Sequence, residues 1–429
     1  MFKKFKKFIG VMMTILAITS TLFSSYAYAQ EQPANPIDKD GYTLDFSDEF
    51  NGTELDKTKW TDYYLPHWTD NPENAKANYR FENGSLIEYI TEDQKPWSPE
   101  HDGTVRSSAI MTFDKSWIHN FSGTTDNQDR DTWVGYETTY GYFEIRAKFA
   151  DCGGGGHQAW WLVGMQNDTD DWFNSKETGE IDIIESFFSK PDTWRIAAYG
   201  WNDPNFQTSW TLSEDPVPSG DPTSEYHVYA LDWSPGSLKF YYDNELYKVI
   251  NQAPNYSMGM ILNIYTDAGS GQHNDVWPKE WAVDYVRVWK NNDGYEEPLY
   301  QIKNRQTGEY LYIEENNDKV SYGNINEIGN SGLWKQEFVD GYIRLKNSAT
   351  DEYIHIENQT GYLEHGKVLP TYYSAQWKIE EQEGYIRLNN RWKDGSYIHT
   401  EDYLGVAQYG NVPKTYWTSQ WELIPVYEE

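Results

Sequence analysis

"GEIDIIES", residues 179–186, sets three carboxylates, Glu180, Asp182 and Glu185, within six positions. The isoleucines among them predict a strand, in which successive side chains point to opposite faces. Glu180 and Asp182 then share a face, and Glu185 has the wrong parity. One extra residue, a β-bulge near Ile183–Ile184, resets the parity. Glu185 then joins the other two, and the isoleucines fill the layer behind. Three carboxylates on one face cannot all ionise without strong coupling, so at least one should hold its proton above the usual range. A cost of this kind points to a use. Retaining glycoside hydrolysis fits, with a nucleophile and an acid/base about 5–5.5 Å apart. Extended residues i and i+4 lie about 13 Å apart, so twist, bulge and side-chain reach must close the gap. A divalent metal held by the same carboxylates is the competing use, although the oxygen-rich loop typical of calcium is missing.

The rest of the chain narrows the setting. "MFKKFKK" carries Lys3, Lys4, Lys6 and Lys7, an apolar run follows, and "AYA" ends at Ala29. Residues 1–29 are expected to be a secretory signal cleaved before Gln30. An uncleaved anchor is the alternative, but the run is shorter than the roughly 20 residues a span needs. The product would be secreted and extracellular. Cys152 is the one cysteine, so no intrachain disulfide is available and the thiol reads as incidental. The net charge is −32, or −36 once the four signal lysines are gone. That charge opposes nucleic acid, anionic membranes and acidic polymers, and favours a neutral polysaccharide partner for a monomer. Aromatics make up 17 % of the chain, with 20 Trp and 35 Tyr. Rings suit sugar stacking, but strands and cores use them too.

Residues 30–40 read as a flexible lead-in. From 41 to 290, short alternating segments such as "YGYFEIRAKF" and "WAVDYVRVWK" are broken by Gly, Pro, Asn and Asp. That pattern predicts one large all-β sandwich. Residues 291–298 form a polar linker. Residues 299–429 hold a threefold repeat. "YQIKN" at Tyr300, "YIRLKN" at Tyr342 and "YIRLNN" at Tyr385 recur at 42 or 43 residues. Gly323, Gly366 and Gly410 are each followed eleven residues on by Trp334, Trp377 and Trp421, assigned to a core. One such unit cannot bury its apolar face alone, so a closed threefold assembly is expected. The repeat resembles a β-trefoil of the ricin-like or fascin-like kind, many of which bind carbohydrate; a three-bladed propeller is the alternative. Two repeats carry an aromatic pair, Tyr372–Tyr373 and Tyr416–Trp417, where the first has Gly329–Asn330. These pairs are either sugar platforms or loop packing.

"EIDIIE" also matches the bulged Glu-x-Asp-x-x-Glu signature of glycoside hydrolase family 16. "FSDEFNGTELDKTKW" (46–60), "YGYFEIRAKF" (140–149), "QAWWLVG" (158–164) and "WAVDYVRVW" (281–289) resemble the family's flanking segments in order. The resemblance covers residues 41–290. It implies a concanavalin-like β-jelly-roll sandwich and retaining endo-hydrolysis. By it, Glu180 is the nucleophile, Asp182 the assisting acid and Glu185 the acid/base. It places Trp160, Trp161, Arg106, Tyr199 and Trp201 at the substrate. A structural calcium would rest on Glu49, the Gly84 carbonyl and Asp284; no cofactor is needed for catalysis. One departure concerns the strand after the signature, where Ala198 stands at the position of a common family histidine. The substrate is expected to be a β-1,3 or mixed-linkage glucan, then a galactan such as agarose. Transglycosylation and a catalytically silent lectin remain the other readings.

Overall fold

A computed structural model describes residues 31–124, 130–206, 210–266, 275–296, 298–314, 316–382 and 384–426. The expected signal segment lies outside the described residues. Two antiparallel sheets face each other across one apolar layer. The cleft sheet orders Trp210–Pro216, Thr193–Tyr199, Glu180–Phe187, His157–Gly164, Met258–Tyr265 and Ser107–Met111. The outer sheet runs from Glu245–Ile250 through Ser237–Tyr242, His227–Ser234, Gly141–Lys148 and Lys279–Asn291 to Ser85–Ile90 and Tyr79–Glu82. Tyr42–Asp48 pairs with the far half of Lys279–Asn291. This is the all-β sandwich expected from the alternating segments.

Alternation places the core. Phe143, Ile145 and Ala147 of the outer sheet meet Trp160, Leu162, Ile181, Trp194, Ile196, Leu262 and Ile264 of the cleft sheet, all fully buried. Burial of that apolar surface is the main force holding the layers together. Trp160 belongs to this layer, not to the substrate face. The stretches on either side of the outer-sheet strands Tyr79–Glu82 and Ser85–Ile90 reach the cleft face: Trp68 and Trp97 join Trp161 and Val163 in a second apolar cluster.

The lead-in differs from the expectation of flexibility. Asn35 Nδ2 donates to Glu144 at 3.0 Å, and Arg287 Nη1 donates to the Asn35 carbonyl at 2.8 Å. Trp289 Nε1 donates to the Ile37 carbonyl at 2.9 Å, and Lys39 Nζ lies 3.6 Å from the Tyr142 ring centre. The segment covers polar groups on the outer sheet that would otherwise face water.

In the C-terminal region, six strands close on themselves: Leu299–Asn304, Trp334–Val339, Tyr342–Asn347, Trp377–Gln382, Tyr385–Asn390 and Trp421–Val426. Three pairs of short strands branch from this ring. The register corrects the first repeat by one residue. Tyr300 pairs with Trp334 as Ile343 pairs with Trp377 and Ile386 with Trp421, so the equivalents of Tyr342 and Tyr385 are Leu299. The three tryptophans are fully buried, and each indole donates to a carbonyl 23 residues back: Leu311, Ile354 and Ile398. A second threefold set escaped the sequence reading. Asn304, Asn347 and Asn390, almost fully buried, donate to the carbonyls of Thr418, Ser331 and Ser374, each stitching one repeat to the preceding one.

Equivalent burial predicts equivalent cost. Trp334→Ala, Trp377→Ala and Trp421→Ala should each destabilise this region by about 3–5 kcal/mol through cavity formation and a lost indole donor. Denaturant unfolding of the three variants checks this; one silent substitution would break the threefold equivalence.

Candidate active site

The bulge is where the parity argument requires it. On one side Trp160 pairs with Ile184 and Trp161 with Asp182, so Ile183 has no partner. On the other side Arg195 pairs with Glu185 and Ala197 with Asp182. Ile183 and Ile184 both point into the core and are fully buried. The Ile183 carbonyl, left out of the ladder, accepts the Trp194 indole N–H at 2.9 Å. Glu180, Asp182 and Glu185 thereby line one open cleft of about 590 Å³. Gly179 sets the entry to the strand. Its N–H donates to the Tyr256 hydroxyl at 2.8 Å, and a Cβ there would lie 2.3 Å from that oxygen.

Burial dominates the electrostatics. Glu180 is 8 % exposed and Asp182 5 %. Burial pushes Glu180 up to about 8; the Trp201 hydrogen bond opposes this, Glu185 adds to it and Arg195 opposes it. Burial, then the charges of Glu180 and Glu185, push Asp182 well above the ordinary carboxyl range. Two adjacent buried carboxyls raised together titrate as a coupled pair and resist ionising at once. Trp201 Nε1 donates to Glu180 Oε2 at 2.9 Å. His119 Nδ1 lies 3.7 Å from the same oxygen, but burial pushes that imidazole down to about 3, so it is neutral and forms no ion pair. Rings of Phe121, Trp161, Trp172 and Trp201 enclose His119. Trp201 and His119 both hold left-handed backbone, φ 50° and 55°. Such strain in non-glycine residues concentrates at functional sites.

The cleft gathers some of the sequence candidates and not others. Trp161 is there, its indole donating to Asn263 Oδ1 at 2.7 Å. Tyr199 lines the cleft and stacks on Trp201 with ring centres 5.5 Å apart. Arg106 is not among the lining residues; its Nε donates to the Gln94 carbonyl at 2.7 Å and its guanidinium lies 5.5 Å from the Trp277 ring centre. Ala198 lies in the core, opposite Ile181, so the cleft-facing position is Ala197. The calcium candidates do not fit a hard cation. Glu49 is held at both oxygens by Arg287 (2.8 and 2.7 Å), and Asp284 by Arg146 (2.8 Å). Among the described residues no cluster of three or more His, Cys, Asp or Glu could hold a metal. Tyr372, Tyr373, Tyr416 and Trp417 are 42–50 % exposed on the C-terminal region. Glu357 and Glu401 bond Ser374 Oγ and Thr418 Oγ1 within it.

Tyr64, His119, His157, Asn263 and Tyr265 of the lining, and Arg195 beside Glu185, were not singled out by sequence; Asn263 and Tyr265 share one strand, and the others are scattered along the chain. Cys152 is buried, pushed up to about 11 by burial, and 3.9 Å from Lys279 Nζ, in keeping with an inert thiol.

Trp201→Phe removes the donor that favours ionised Glu180. The acidic limb of kcat/KM should then move upward by about one pH unit, with activity lost as pH falls through it. A pH–rate profile checks this; an unmoved limb would show that the indole does not tune that carboxyl.

Residues 97–287 match the family model of Glycosyl hydrolases family 16. The solved GlcNAcα1-4Gal releasing endo-β-galactosidase from Clostridium perfringens is 73 % identical, covering 93 % of this chain and 100 % of that one, with TM-score 0.63. A glucan endo-1,3-β-glucosidase A1 from Niallia circulans is 28 % identical over 288 residues, which are 58 % of this chain and 38 % of that protein's length. A keratan-sulfate endo-1,4-β-galactosidase from Sphingobacterium multivorum is 26 % identical over 58 % of this chain and 55 % of its own. The chain belongs to glycosyl hydrolases family 16.

Proposed function

We propose that the protein is an exported, retaining endo-β-galactosidase that cuts behind a GlcNAcα1-4Gal unit. The observation that carries the chemistry is the bulged strand, which turns Glu180, Asp182 and Glu185 into one cleft. In this reading a Glu180 carboxylate oxygen bonds to the anomeric carbon as the glycosidic C–O bond breaks. Glu185 gives its proton to the leaving oxygen. Glu185 then takes a proton from water, whose oxygen displaces Glu180 and restores both groups. A second sugar hydroxyl in place of water would give transglycosylation. Asp182 holds the proton that would otherwise compete for Glu180. Support for the substrate is the 73 % identity to the Clostridium enzyme. The glucan expected first from the sequence has weaker support, 28 % identity over the Niallia match. Export rests on the n-region, apolar run and "AYA" of residues 1–29.

For the C-terminal region, we infer a β-trefoil that holds glycan at two of its three repeat junctions. Arg391 lies between Tyr342 and Tyr373, with its guanidinium carbon 4.4 and 4.0 Å from the ring centres. Its Nη1 donates to Gln376 Oε1 at 2.7 Å. Arg305 repeats this between Tyr385 and Trp417, at 4.4 and 4.2 Å, with Gln420 as the acceptor. At the remaining junction the four equivalent residues are Leu299, Asn330, Ser348 and Leu333, so the whole set is absent together. A guanidinium under one face holds each ring in place, while about half of Tyr373 and Trp417 stays open to solvent. Rings fixed in this way cost little to order on binding.

Incubation with a mucin glycan bearing terminal GlcNAcα1-4Gal, alongside laminarin, lichenan and agarose, should release the disaccharide from the first alone. Glu180→Gln should abolish release while the protein stays folded. New reducing ends from laminarin and none from the mucin glycan would reverse the substrate assignment. In the Glu180→Gln background, Tyr373→Ala with Trp417→Ala should cut retention on immobilised mucin glycan about tenfold or more, two linked sites acting together. Asn330→Ala should leave it unchanged. Equal retention by all three would reduce the aromatic sets to packing.

A further inference from the structure

The acid/base of a retaining glycosidase must be poised between protonated and ionised forms. In this cleft the Glu185 carboxylate meets a guanidinium. Arg195 lies directly across from it on the neighbouring strand, and its Nη1 is 2.9 Å from Glu185 Oε2. The two side chains are 16 % and 14 % exposed, so water screens the pair weakly. The arginine is itself fixed. Its Nη2 donates to the Tyr199 hydroxyl at 3.0 Å and to Thr211 Oγ1 at 2.9 Å, and its guanidinium lies 5.5 Å from the Phe187 ring centre.

The other groups around Glu185 do not supply a compensating charge. Its own strand presents Glu180 and Asp182. The strand Thr193–Tyr199 presents Arg195, in contact with Glu185, and Tyr199; His157, Tyr265, Tyr64 and His119 are the other titratable groups lining the cleft. Burial pushes His157 down to about 4 and His119 to about 3, so both are neutral at working pH. Burial pushes Tyr199 up to about 12 and Tyr64 higher still, so neither is an anion. The Arg195 charge also opposes the burial that raises Glu180 and Asp182.

We propose that Arg195 is the positioning residue of the acid/base, aiming the Glu185 carboxyl into the cleft and favouring its ionised form. This rests on the reading of Glu185 as acid/base. An arginine does not surrender its proton, so it cannot replace Glu185 as the donor. Its effect is electrostatic. It makes Glu185 a stronger acid when the glycosidic bond breaks, and holds it ionised and aimed in the glycosyl-enzyme, where it takes the proton from water.

The test is a set of kcat/KM pH profiles on the GlcNAcα1-4Gal glycan for the parent, Arg195→Met, Arg195→Lys and Glu185→Ala. Losing the guanidinium should raise the basic limb of Arg195→Met by about one pH unit or more. Turnover at the parent's optimum should fall by about tenfold to a hundredfold. Aryl glycosides with good leaving groups should lose much less, because they need little proton donation. Arg195→Lys keeps a charge without the planar fork, so its limb should shift the same way by less. A folded Arg195→Met with its basic limb and leaving-group dependence unchanged overturns the proposal. If Arg195→Met does not fold, a folded Arg195→Lys that matches the parent in both limb and turnover overturns it. Full turnover by Glu185→Ala would instead remove the underlying reading of Glu185.

Discussion

One unpaired residue, Ile183, is the constraint on which the site depends. Without it Glu185 would point into the layer between the sheets, where an unpaired carboxylate costs several kcal/mol or is forced to stay protonated. With it, two adjacent isoleucines enter the core and the third carboxylate returns to the cleft. The bulge takes a carbonyl out of the ladder, and the Trp194 indole from the neighbouring strand satisfies it. The same tryptophan is fully buried in the core, so packing and catalytic alignment rest on one side chain.

Gathering three acids in a buried cleft would suppress ionisation altogether if nothing opposed it. Two groups do so at opposite ends of the triplet. Trp201 donates to Glu180, and Arg195 pairs with Glu185. Neither touches Asp182 among the bonds described, and burial with the flanking charges pushes Asp182 well above the ordinary carboxyl range. The cleft thus gives three chemically similar groups three different sets of neighbours. His119 stays neutral despite its closeness to Glu180, because an enclosure of rings strips it of water.

The carboxylate triplet was legible because it is local: six residues contain the acids, the parity conflict and the isoleucines that resolve it. The threefold repeat was legible because Trp334, Trp377 and Trp421 are core residues with a fixed period. Other features depend on pairing across long separations. Arg195 was invisible as a partner of Glu185 until the strand register was known. Trp160 and Trp161 are adjacent, and only the register says which one lines the cleft. Ala198 was matched to the wrong face because the bulge shifts the neighbouring strand's register as well. Glu49 and Asp284 looked like hard-cation ligands, but their arginines lie 238 and 138 residues away in sequence. The lead-in looked flexible by composition, yet it supplies the hydrogen bonds that the outer sheet's buried polar groups require.

The central claim is that the bulge divides labour between Glu180 and Glu185. A 2-fluoro galactoside with an activated leaving group, carrying GlcNAc at O4, would trap a covalent glycosyl-enzyme, and peptide mass mapping would locate it. The account places the label on Glu180 alone, with Asp182 and Glu185 unmodified. A label on Glu185 or Asp182, or slow turnover to the inverted sugar with no covalent adduct, would contradict it.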